Sequence, residues 1–76
     1  MSKLPALKPK HAIKILTKLG FTEKRQKGSH KIFENSAGTV FVIAVHGNKE
    51  LRAGITHELR QVSGLSDDEF LKLLKK

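Results

Sequence analysis

The chain has 76 residues, no cysteine and a formal net charge of +8, with 15 Lys and Arg against 7 Asp and Glu. A chain this short supports one small core that buries about 60% of its unfolded surface. Without cysteine there is neither a disulfide scaffold nor a thiolate metal site. The positive balance favours a polyanion or an acidic protein as partner. Four Phe with no Tyr or Trp argue against a platform on which single-stranded bases stack, and for recognition of backbone and shape. No stretch is apolar for the roughly 18 residues that would cross a bilayer, and residues 1–10 lack the apolar run of a signal peptide. The expected location is cytoplasmic.

In chain order, residues 1–8 read as a flexible tail, and residues 9–76 as a single domain. Pro9 suits the first turn of a helix, where its missing amide hydrogen costs nothing. Ala12, Ile13, Leu16 and Leu19 then recur on one face, widened by Ile15, with Lys10, Lys14 and Lys18 away from it. Gly20 stops that helix and Phe21 makes a contact just beyond, which predicts a helix over residues 9–19. Residues 21–27 are polar and suggest a strand near an edge. Gly28-Ser29 turns the chain into a second strand over 30–35, and Ser36-Ala37-Gly38 turns it again. Residues 39–45 form the most β-prone run, and their apolar residues do not alternate with polar ones. Both faces of that strand therefore want cover: helices on one, and on the other a barrel interior, a self-association surface or a partner. Ile55, Leu59 and Val62 predict a second helix ending at Gly64. Ser66-Asp67-Asp68-Glu69 is a capping box opening a third, with Phe70, Leu71, Leu73 and Leu74 on its apolar face. The fold class is α+β: a helix, a three-stranded antiparallel meander and two helices packed on one sheet face.

Residues 24–33 gather the features that chemistry needs. Lys24, Arg25 and Lys27 approach a Gly28-Ser29 turn, His30 opens the next strand, and Lys31 follows. Histidine side chains change charge near neutral pH, and the surrounding cations hold a polyanion nearby. Period-two alternation puts His30, Ile32 and Glu34 on one face and Lys31, Phe33 and Asn35 on the other. With Phe33 as core anchor, His30 faces away from the helices. RNA cleavage without a metal needs a base for the 2′-hydroxyl proton, an acid for the leaving oxygen and positive charge on the crowded phosphate. His30 can serve as base or acid, with Lys27, Lys31 and Arg25 as cations. His46 is the candidate second proton carrier. His11 and His57 fall on helix surfaces, and four scattered histidines without cysteine do not make a zinc site. Lys10, Lys14 and Lys18 extend a candidate phosphate track.

The element order is shared with the double-stranded-RNA-binding fold. Three motifs match more closely: Gly28-Ser29-His30 at the second strand, the run Val45-His46-Gly47-Asn48-Lys49-Glu50-Leu51 ending the third, and Gly54 opening a helix. With Gly64-Leu65-Ser66 and Asp68-Glu69-Phe70-Leu71 behind them, the chain resembles the HicA (YcfA-like) toxin family over about residues 12–74. That resemblance implies a double-stranded-RNA-binding-like domain acting as an mRNA interferase, with no cofactor, an mRNA substrate and a HicB-type antitoxin as inhibitor. The family's catalytic histidine maps onto His30, and Lys24, Arg25, Lys27, Gly28, Ser29 and Lys31 would contact RNA. Where many members read Gly-Thr-Leu, this chain has Gly54-Ile55-Thr56. A non-catalytic duplex-RNA-binding module of the same fold is the alternative reading.

Overall fold

The computed structural model describes residues 4–75. The elements are α1 (Pro9–Lys18), β1 (Thr22–Lys27), β2 (His30–Glu34), β3 (Val40–Ala44), α2 (Ala53–Ser63) and α3 (Asp67–Leu74). The strands form one antiparallel sheet in the order β1-β2-β3. This is the expected α+β order, and it is compatible with a double-stranded-RNA-binding-like arrangement.

Alternation decides which sheet face meets the helices. Phe33 of β2 pairs directly with Phe41 of β3, and Lys31 with Ile43. Phe33, Phe41 and Ile43 are buried, whereas Val40 and Val42 on the opposite face are 55% and 43% exposed. The core joins these residues to Ala12, Ile15 and Leu16 of α1, Ile55 and Leu59 of α2, Phe70 of α3, and Leu7, Phe21 and Leu51 from connecting segments. One sheet face is therefore closed by helices, and the other is open. The apolar composition of residues 39–45 has this outcome: half of it fills the core and half stays at the surface.

Two sequence expectations shift at residue level. On α2, Val62 stands 37% exposed at the rim, and Thr56 takes a buried place instead at 1%. The buried hydroxyl is satisfied because it donates to the Pro5 carbonyl at 2.8 Å, which removes the cost of an unpaired polar group. Its partner belongs to the segment expected to be a flexible tail. Within that segment Leu7 is buried, and its carbonyl accepts from the Leu51 amide at 2.8 Å; residues 1–3 lie outside the described residues.

The capping box at α3 forms as the sequence suggests. Ser66 Oγ accepts from the Glu69 amide, and a Glu69 carboxylate oxygen accepts from the Ser66 amide. Arg60 secures the same corner, reaching the Leu65 carbonyl at 2.8 Å and Asp67 at 3.1 Å. Hydrogen bonds from Ser66, its backbone amide first, hold the Glu69 carboxyl below its ordinary pKa. A lowered folded-state pKa stabilises the fold above the unfolded value, and that contribution is lost as pH falls through the folded value. Acid unfolding of Glu69→Gln should therefore show a flatter pH dependence below about pH 4.5 than wild type, measured by urea melts. Ser66→Ala should cost about 1 kcal/mol at neutral pH.

Candidate active site

The site grows from the β1–β2 hairpin. Lys27 and His30 are paired across a two-residue loop, the tightest connection antiparallel strands allow. Gly28 has φ +60° while no other residue type in the described chain has positive φ, the signature of a type II′ turn with glycine at its first central position. Gln26 braces the loop by donating from Nε2 to the Gly28 carbonyl at 3.0 Å. Any other residue at 28 would strain the turn by about 1 to 3 kcal/mol. The result is a fixed hairpin end with His30 exposed on the open sheet face.

A β-bulge between Glu23 and Arg25 decides which cations join it. Glu23 pairs with Phe33, Arg25 with Ile32, Gln26 with Lys31 and Lys27 with His30, leaving Lys24 as the extra residue. A one-residue insertion flips every later side chain to the other face. Without the bulge, Arg25 and Lys27 would share the face of Phe33 and the helices. With it, both lie on the open face, Lys27 directly across from His30 and Arg25 across from Ile32.

Lys31 goes the other way. It shares the helix-side face with Phe33 and meets Glu23 at 3.6 Å, so it does not stand beside His30. The α1 lysines at 10, 14 and 18 are exposed on the helix layer, also apart from the His30 face. Of the residues singled out in sequence, the open face thus gathers His30, Lys27 and Arg25 next to Gly28 and Ser29.

On the other side, β3 closes onto the same hairpin end. His30 pairs with Ala44, and the Val45 amide donates to the Ser29 carbonyl at 2.7 Å. His46 follows immediately and is exposed. It lines a cavity with Ala44, Glu50, Leu51, Arg52 and Ile55, so both His30 and His46 adjoin Ala44. His11 and His57 are exposed on α1 and α2, in the helix layer. Among the described residues no three His, Asp or Glu side chains converge as ligands for a metal ion, and no helix is long and apolar enough to cross a membrane.

Sequence reasoning missed the bulge and the cavity. Residues 22–27 are Thr-Glu-Lys-Arg-Gln-Lys, all exposed, so no apolar residue betrays the register. Glu50 and Arg52 come from a loop and a helix start, and only the fold carries them to the end of β3.

Comparison with protein-family models matches residues 9–65 to the HicA toxin of bacterial toxin-antitoxin systems. No curated protein matches the chain. The matched span runs from the first residue of α1 past the end of α2 and contains the hairpin, His30 and His46. The chain belongs to the HicA toxin family, the toxin component of bacterial toxin–antitoxin systems, and a cognate antitoxin is the partner that membership implies.

Proposed function

We propose that this chain is an endoribonuclease toxin that cuts mRNA in the cytoplasm, using His30 as general acid or base and no metal cofactor, and is silenced by a HicB-type antitoxin. The observation that carries this reading is the placement of His30 at a fixed hairpin end, on an open face that it shares with Lys27 and Arg25. One histidine takes the proton of a ribose 2′-hydroxyl as O2′ attacks the adjacent phosphorus. The bond from phosphorus to O5′ then breaks, and a second group protonates that oxygen. His46 is the proposed second proton carrier, since it lies two residues beyond Ala44, the partner of His30. Lys27 and Arg25 sit where negative charge builds on the phosphate, and such placement is commonly the largest single contribution to catalysis. Gly28 and Ser29 hold the backbone of the turn against the RNA, while the bulged Lys24 adds charge at its edge.

The apolar part of the open face has a proposed role as well. Ile32 pairs with Val42 and Glu34 with Val40, leaving a strip of two exposed valines that runs along β3 away from the catalytic end. An antitoxin that covers this strip also blocks RNA from reaching His30. Induced expression is expected to arrest growth and shorten cellular transcripts, with growth restored by co-expression of a cognate HicB-type antitoxin. Growth arrest with transcripts left intact would sink the ribonuclease reading.

A further inference from the structure

The end of β3 holds a cavity of about 210 Å³ lined by Ala44, His46, Glu50, Leu51, Arg52 and Ile55. We propose that it is a nucleobase pocket that selects guanine at the nucleotide adjoining the cleaved phosphodiester. Its position follows from the ribonuclease reading above, but its chemistry is legible without it.

Pockets for drug-sized ligands start at roughly 300 Å³, so this one takes a single flat ring system. Ala44, Leu51 and Ile55 give it an apolar floor on which a base can lie. Leu51 and Ile55 are core residues, which makes that floor rigid. His46, Glu50 and Arg52 supply a polar rim, the pattern by which proteins hold an unstacked base: apolar contact to the face and hydrogen bonds to the edge.

The rim is set in a definite way. Arg52 donates from Nη2 to Glu58 at 3.2 Å, and its guanidinium lies over Gly54, where a Cβ would come within 2.8 Å of Nη1. Glycine at 54 therefore makes room for a guanidinium that still has other N–H groups to give. Glu50 is different. In a protein with an excess of cations its carboxylate forms no ion pair or hydrogen bond among the described residues.

An ionised carboxylate only accepts hydrogen bonds, through two oxygens side by side. Guanine alone presents two adjacent donors on its Watson–Crick edge, N1–H and the N2 amino group, with O6 beside them to accept from Arg52. Adenine and cytosine set one amino donor beside a ring-nitrogen acceptor, and uracil sets one donor between two carbonyls that repel a carboxylate. Ala44 is both a wall of the cavity and the strand partner of His30, so a base seated here belongs to a nucleotide next to the one whose phosphate His30 faces.

The test is a titration of methyl-labelled protein with GMP, AMP, CMP and UMP, followed by NMR. GMP is expected to shift the Ala44, Leu51 and Ile55 methyls and to bind about tenfold tighter than the others, the discrimination of one good bidentate pair. Glu50→Ala, at an exposed position without partners, should level the four affinities and leave methyls elsewhere in place, while His30→Ala should keep the preference. Absence of shifts at these methyls, equal affinities in wild type, or a preference that survives Glu50→Ala would overturn the pocket. Cleavage mapping separates the two readings. A GMP preference in a protein that cuts no RNA leaves the pocket standing and removes the ribonuclease.

Discussion

Replacing His30 with alanine is expected to lower the single-turnover rate of RNA cleavage by about 10²- to 10⁴-fold, the usual worth of one positioned acid or base. The fold should not notice. His30 is exposed, and the turn before it is held by Gly28 and the Gln26 side chain, so the melting transition should stay within about 0.5 kcal/mol of wild type. RNA affinity should also persist, because phosphate attraction comes from cations and not from a proton carrier. His46→Ala provides the internal comparison: a second proton carrier yields a loss of cleavage with affinity retained, as at His30. Lys27→Gln and Arg25→Gln should behave differently, lowering affinity and cleavage together and reducing the salt dependence of binding. A His30→Ala protein that cleaves at the wild-type rate contradicts the assignment.

The second large effect is structural. Phe33→Ala removes a side chain that is 2% exposed and pairs with Phe41 on the helix-side face, a change that costs about 3 to 5 kcal/mol. A domain of this length has roughly 4 to 11 kcal/mol of total stability, so the loss takes from about a quarter to all of the margin. With a urea slope of about 1 kcal/mol per molar, the unfolding midpoint should fall by about 3 to 5 M or vanish. Val40→Ala, on the same sheet but 55% exposed, should move it by no more than about 0.5 kcal/mol. A Phe33→Ala midpoint within about 1 M of wild type, on the same slope, would show that the sheet does not close on this residue.

These effects also mark how far the sequence could be read. Helix ends were legible where chemistry is local, as at Pro9 and in the Ser66 capping box. The face of His30 was legible because Phe33, three residues on, is apolar enough to fix the alternation of β2. Nothing does the same for β1, where six consecutive exposed residues leave the register to backbone pairing. The bulge at Lys24 and the face taken by Arg25 and Lys27 were therefore invisible, whereas that of Lys31 followed from Phe33. Leu7 was invisible for a related reason, since a leucine between Ala6 and Lys8, with prolines at 5 and 9, shows no period and is buried only once the fold brings its segment to Leu51 and the core. The burial of Thr56 was not legible either, because it depends on the distant Pro5 carbonyl that satisfies its hydroxyl. The candidate site divides in the same way. Its histidine and turn are contiguous in sequence, while the cavity beside them is assembled from Ala44, Glu50, Arg52 and Ile55 by the meeting of a strand, a loop and a helix.

The most direct test of the central claim is the chemistry of the RNA ends produced by purified protein in a chelating buffer. Transfer through a 2′-hydroxyl with His30 as proton carrier leaves a 2′,3′-cyclic phosphate on one fragment and a 5′-hydroxyl on the other. Wild type is expected to yield those ends, and His30→Ala to yield none above background. Fragments bearing 5′-phosphates, or cleavage that appears only when a divalent cation is restored, would contradict the account.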